Sequence, residues 1–65
     1  MEKDDLLDEA IQYAKQKGRI KSTSLQLKFL IGYTRANRLM AQMEEFGVFT
    51  NENFGKYYID RIVIP

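Results

Sequence analysis

Five side chains in one short stretch, Thr34, Arg35, Asn37, Arg38 and Gln42, have the chemistry to read the edges of base pairs. Arginine presents two parallel N–H donors that match the O6 and N7 of guanine. Asparagine or glutamine matches adenine in the same way, and each good pair is worth roughly 1–3 kcal/mol of discrimination. Placed on a helix, Arg35, Arg38, Gln42 and Glu45 share the side away from Ala36, Leu39, Met40 and Met43, flanked by Thr34, Asn37 and Ala41. Thr34, Arg35 and Asn37 fall in its first turns, where a recognition helix meets bases, and the small Ala41 leaves room for close approach to a groove. The competing reading is a solvated helix face with an Arg38–Gln42 contact. A solvated face of this length would mix in more carboxylates, which favours the nucleic acid.

The charge distribution points the same way. The net charge is only +1, but residues 1–9 sum to −4, residues 10–42 to +7 with no acid at all, and residues 43–65 to −2. A basic stretch inside a small domain suggests a basic face, and a basic face suggests a polyanion. The alternative is that the acidic ends fold back and neutralise it. Ser22, Thr23 and Ser24 are candidate N-caps for a helix, and the amides of that helix start would also attract a phosphate, with Lys21 and Lys28 adding charge beside them. Lys56, next to Gly55, is a further candidate phosphate contact, whereas Tyr57 and Tyr58 read as core or cross-strand residues rather than stacking platforms.

Other chemistries are excluded by what the chain lacks. With no histidine and no cysteine it has no imidazole base, no Ser/His pair, no thiolate metal site and no disulfide. The carboxylate pairs Asp4/Asp8 and Glu44/Glu45 have no second element to form a cleft, and the four glycines are scattered singly, so no phosphate-cradling loop exists. No apolar run reaches the roughly 18 residues a membrane helix needs. The expectation is a single domain over residues 1–65, a small cytosolic fold without enzymatic activity or cofactor and without membrane contact. A chain of this length buries only about 60% of the surface its unfolded form exposes, so its stability is modest.

Hydrophobic periodicity supplies the elements that must position these residues. Leu7, Ala10, Ile11 and Ala14 mark a first helix from about Lys3 to Lys17, widened by Leu6 and Tyr13 and stopped by Gly18. Arg19–Lys21 is at most a minimal strand. A second helix runs from Ser22 to about Leu30, with Leu27, Leu30 and Leu25 or Phe29 as its buried side. Ile31–Tyr33 is a tight turn into the third helix, which ends at Gly47. The period then changes to two: Val48–Thr50 reads as a strand, Asn51–Gly55 as a loop and Lys56–Ile64 as a second strand, interrupted at Asp60 and Arg61. Three helices, two of them joined as a helix-turn-helix, followed by a β-hairpin wing, make an α+β winged helix.

Several stretches also resemble a known family. Asp5-Leu6-Leu7-Asp8-Glu9-Ala10, Ser22-Thr23-Ser24-Leu25-Gln26, Ile31-Gly32-Tyr33-Thr34-Arg35-Ala36-Asn37-Arg38-Leu39 and Gln42-Met43-Glu44-Glu45-Phe46-Gly47-Val48 occur in order. This pattern is similar to the C-terminal gamma domain of the FtsK/SpoIIIE family of bacterial DNA translocases, and the I-G-Y-x-R-A-x-R-L stretch is its specific part. The resemblance implies a winged helix that reads short, G-rich, polar DNA motifs, orients a hexameric ATPase motor during chromosome segregation and cell division, and in one branch activates a site-specific recombinase. It also implies a bacterial, cytoplasmic, nucleoid-associated setting. Arg35 and Arg38 match the family's arginines, while Thr34 stands where Asn is usual and Asn37 where Ala is usual. Leu27-Lys28 displaces the family's basic position by one, and the Glu52-Asn53-Phe54 wing differs from the usual segment. No G-x-x-x-x-G-K-[ST] motor motif occurs in these residues, so the sequence reads as a domain of a longer translocase or as a small standalone relative. Two other functions fit the fold: a protein-interaction winged helix with a recombinase or subunit partner, and a standalone transcriptional regulator, which predicts a homodimer on a palindrome.

Overall fold

A computed structural model describes residues 2–65. Helix α1 (Leu7–Lys17) turns Leu7, Ala10 and Ala14 wholly inward, with Ile11 and Tyr13 half-buried beside them. It starts later than the periodicity from Lys3 predicts, because Asp4 makes a turn of its own. The Asp4 carbonyl accepts the Leu7 N–H at 3.0 Å and its Oδ1 accepts the Leu6 N–H at 2.9 Å. An aspartate that satisfies the first amides in this way diverts the chain from a helix. At the other end Gly18, with φ +81°, closes α1 on the Ala14 carbonyl as its position predicts.

Strand β1 (Arg19–Ile20) leads into helix α2 (Ser22–Phe29). The expected Ser/Thr capping does not occur: Lys21 stands at the N-cap and no side chain bonds the helix start. Ser22 is instead buried within the first turn, its N–H donated to the Tyr57 carbonyl at 2.8 Å. The expected inner face of α2 is also corrected. Leu25 is buried and Phe29 half-buried, one turn apart, whereas Leu27 and Leu30 are 74% and 89% exposed. Leu27 points almost opposite to Leu25 on a helix, and Leu30 has already left it, with a left-handed φ of +53° that ends α2.

Helix α3 (Tyr33–Glu45) buries Ala36, Leu39, Met40 and Met43 completely, the stripe its sequence predicts. Gly47, at φ +73°, turns the chain out of it. Strand β2 (Arg61–Ile62) then pairs antiparallel with β1, Arg19 opposite Ile62 and Ile20 opposite Arg61. On the other edge of β2, Phe49 bridges Val63, and N–H groups of Thr50 and Ile64 bond the carbonyls of Ile62 and Val48. Ile20, Val48, Phe49 and Val63 thereby cover the helical core from below. The result is an α+β winged helix, with a wing narrower than Lys56–Ile64 predicts.

The reason for the short wing is Arg61. Its Nε and Nη2 take the carbonyls of Glu52 and Thr50, at 3.0 and 3.2 Å, and Nη1 also reaches the carbonyl of Lys56. Carbonyls that a longer ladder would pair across the hairpin are satisfied by one side chain. Residues 51–60 therefore wrap a guanidinium instead of forming strands.

Candidate nucleic-acid interface

The packing of α3 divides its remaining surface into two flanks. Arg35, Arg38 and Gln42 stack along one of them at three- and four-residue spacing, and Thr34, Asn37, Ala41 and Glu45 follow the other. On the second flank Thr34 and Glu45 are exposed and Asn37 and Ala41 half-buried, so it is open at both ends and shallow at Ala41. The Asn37 side-chain oxygen is buried without a hydrogen-bond partner.

The first flank is covered only at Gln42, which corrects the expectation for that residue. That residue is 4% exposed: its Oε1 accepts the Asp4 N–H at 3.1 Å and its Nε2 donates to the Glu2 carbonyl at 2.9 Å. Gln42 therefore holds the N-terminal segment and is not presented for base contacts. Arg35 is exposed but engaged. Its Nε and Nη2 donate to Asp4 Oδ2 and Oδ1 at 3.0 and 2.9 Å, so here the acidic N-terminus does fold back on a basic residue. That hydrogen-bonded arginine holds the Asp4 carboxyl below its usual range against a smaller opposing effect of burial. The Leu6 N–H and the charges of Arg35 and Arg38 help to lower it. Arg38 lines the same shallow cleft as Arg35, with Glu2, Lys3, Asp4 and Asp5 on its other walls.

The candidate phosphate contacts are spread around this helix. Lys21 and Ser24 sit half-buried at the start of α2, where two backbone amides are already engaged: Ser22 bonds Tyr57, and Ser24 bonds the Lys21 carbonyl at 3.0 Å. The expected phosphate seat on those amides is correspondingly reduced. Lys28 is exposed with its ammonium 5.3 Å from the centre of the Tyr13 ring, which Lys17 approaches at 6.0 Å. Lys56 is exposed in the wing loop, its N–H bonded to the Asn53 carbonyl.

That loop is tied to the end of α3 by a cluster the sequence reading did not identify. Glu44 accepts from Arg61 Nη1 at 2.6 Å, from Tyr57 Oη at 3.0 Å and from the Gly55 N–H at 2.8 Å. Burial raises the Glu44 carboxyl, but the three donors and the arginine's charge together bring it below its ordinary value. Burial and the hydrogen bond to Glu44 push the Tyr57 phenol up. The signal was present in the alternation: Tyr57, Ile59, Arg61 and Val63 share one phase, and Arg61 is buried there at 1% exposure. An arginine on the inward phase of an apolar strand demands a buried carboxylate, and Glu44 is one turn beyond Met40 on the adjoining helix.

The described residues hold no cluster of three or more potential metal-ligating side chains, and no helix among them is long and apolar enough to cross a membrane. Comparison with known proteins adds to this geometry. The FtsK gamma domain family matches residues 1–57. The DNA translocase FtsK of Pasteurella multocida is 38% identical over 55 residues, which is 85% of this chain and 6% of that protein. The DNA translocase FtsK of Clostridium tetani is 40% identical over 55 residues, covering 85% of this chain and 7% of its own length. That of Shewanella oneidensis is 47% identical over 47 residues, 72% of this chain and 5% of its own. The chain thus spans less than a tenth of the length of these three relatives. The match covers all three helices, the cleft at Arg35 and Glu44, and on that ground the chain belongs to the FtsK gamma domain, a family of DNA-binding domains.

Proposed function

We propose that this domain binds double-stranded DNA by placing α3 in the major groove, and that it reads a short G-rich polar motif to orient a DNA translocase during chromosome segregation. The observation that carries the reading is the composition of the outward α3 surface. Thr34, Arg35, Asn37, Arg38 and Ala41 occupy it with no carboxylate of their own helix before Glu44, and the wholly buried stripe behind them fixes the helix in the core. Arg38 and, once released from Asp4, Arg35 supply paired donors for guanine, while Thr34 and Asn37 tune neighbouring positions. Lys21, Lys28, Lys56 and the Ser24 hydroxyl hold the backbone, so affinity falls as salt rises.

A single module of this kind buries only about 600–1,000 Å² on DNA, so tight binding calls for several tethered copies, as a hexameric motor would supply. A site-specific recombinase is a second partner on this reading, and a bacterial nucleoid is the setting. Fluorescence anisotropy on a duplex carrying a G-rich octamer, against the same bases scrambled, tests it. The expected result is salt-sensitive binding that prefers the octamer and is weakened in Arg38→Ala. Equal binding to both duplexes withdraws the motif reading alone, and no binding to either at low salt, with several sites in tandem, overturns the DNA function.

A further inference from the structure

We propose that residues 2–5 form an autoinhibitory strap: Asp4 occupies the guanidinium of Arg35 in the place of a DNA acceptor, and DNA binding requires the strap to leave. The inference rests on the reading of α3 as the DNA-contacting helix.

The contact copies what DNA would offer. A carboxylate takes the Nε and Nη2 donors of Arg35 side by side, the two-point geometry that a phosphate or the O6/N7 edge of guanine would use. Arg35 cannot give the same donors to both. Its side chain is 43% exposed and that of Asp4 only 6%, so the arginine covers the carboxylate while remaining open to solvent itself.

Two features show that the strap is seated and is not a chance surface pair. Asp4 is oriented from its own side by the Leu6 N–H on Oδ1, which presets the carboxylate before it meets Arg35. The backbone is clipped separately, with Asp4 N–H on Gln42 Oε1 and Gln42 Nε2 on the Glu2 carbonyl. Gln42 is buried one turn beyond Arg38, so the strap runs along the whole arginine-bearing flank. It carries Glu2, Asp4 and Asp5 past Arg38 as well, and all of these line one cleft.

Release is built in by charge. A DNA backbone entering this flank repels Glu2, Asp4 and Asp5, an effect only partly offset by Lys3, and attracts the exposed Arg38 and the Arg35 that Asp4 holds. The domain then exists in a strapped and an open state, and the fraction that is open scales the apparent affinity. By linkage, DNA that favours the open state frees residues 2–5 to the same degree that the strap opposes DNA.

The test separates occupation of Arg35 from a general loss of negative charge. Asp4→Asn keeps an oxygen acceptor for the Leu6 N–H but removes the charge that holds Arg35, and Asp4→Ser does the same with a hydroxyl. Asp5→Asn removes an equal charge one residue away. Both Asp4 variants are expected to bind a G-rich duplex about three- to tenfold more tightly than wild type, and Asp5→Asn less than about twofold. In the wild-type protein, NMR signals of the Asp4 amide and Arg35 Nε–H should move together as DNA is added. Equal gains in the Asp4 and Asp5 variants, or weaker binding by the Asp4 variants, overturn the strap and leave DNA binding standing. Absence of binding in every variant at low salt overturns the DNA reading and the strap with it.

Discussion

The two ends of α3 each meet an arginine–carboxylate pair, and the pairs are alike in chemistry and opposite in setting. Near the N-terminal end Arg35, its side chain 43% exposed, meets an Asp4 that is only 6% exposed. Near the C-terminal end Glu44 meets Arg61, at 9% and 1% exposure, and Arg61 also satisfies the carbonyls of Thr50, Glu52 and Lys56 while lying 5.0 Å from the centre of the Phe49 ring. The difference lies in how much of each guanidinium the protein itself satisfies. Arg61, at 1% exposure, turns no face to a ligand and acts as the post around which the wing is wound. Arg35 keeps an outward face and one exchangeable partner. Burial thus makes one ion pair part of the scaffold and leaves the other available for exchange.

The contrast breaks most visibly at Arg61. Replacing one member of a buried pair leaves the other charge uncompensated, which costs about 3–5 kcal/mol. Arg61→Met keeps much of the side-chain volume, removes the arginine's donors and leaves the carbonyls of Thr50, Glu52 and Lys56 without them. In a domain of this size such a loss is a large part of the total stability, and a thermal melt by circular dichroism should show a fall of more than about 12 °C. A fall of only a few degrees would show that Glu44 and Arg61 are solvated after all. Tyr57→Phe deletes a single donor from the same network and is expected to cost about 1 kcal/mol in the same measurement.

Arg35→Ala should show the opposite balance. The melting temperature is expected to fall by less than in Arg61→Met: the Asp4 carboxylate, only 6% exposed, loses its arginine but keeps the Leu6 N–H, and no backbone carbonyl loses a donor. Affinity for a G-rich duplex is expected to fall about tenfold, because the same group supplies a base or phosphate contact when bound. Arg38→Ala, read beside it, separates the strapped arginine from the one that is already exposed. A melt perturbed as strongly by Arg35→Ala as by Arg61→Met would erase the distinction between the two ends.

The elements that carry a strong period were legible in the sequence, and the groups that break it were not. Ala36, Leu39, Met40 and Met43 follow one helical stripe and are all buried, and Gly18 and Gly47 stop their helices where expected. The same periodicity misassigns α2, because eight residues offer too few turns to choose among Leu25, Leu27, Phe29 and the Leu30 that follows. Leu27 and Leu30 fit that pattern as core and are exposed. Helical position alone places Gln42 beside Arg35 and Arg38, as a reader of bases. What buries it is a segment almost forty residues away in sequence, whose charge pattern hinted at folding back without saying where it would land. Arg61 interrupts the apolar run of its strand, yet its phase marks it as inward. Only the burial of Gln42 rests on tertiary hydrogen bonds that no local pattern records.

The smallest expected effect isolates the two ends in one experiment, acid titration of stability at low and high salt. Asp4 and Glu44 both have folded-state carboxyls below their ordinary values, the first chiefly through Arg35 and the second despite burial, through Gly55, Arg61 and Tyr57. A depressed carboxyl contributes stability that is fully present above the unfolded value near pH 4 and is lost as pH falls through the lower folded value. Wild type should accordingly lose stability as pH falls below about 4, with Glu44 the larger contributor because its partner is out of water. Raising the salt from about 0.05 to 0.5 M shortens the screening length to a few ångströms and weakens the half-exposed pair first. The Asp4→Asn variant should therefore differ from wild type in its acid limb at low salt and coincide with it at high salt, whereas Glu44→Gln should differ at both. If salt removed the two differences equally, the ends of α3 would be alike in solvation, and neither the scaffold role of Arg61 nor the exchangeability of Arg35 would follow from burial.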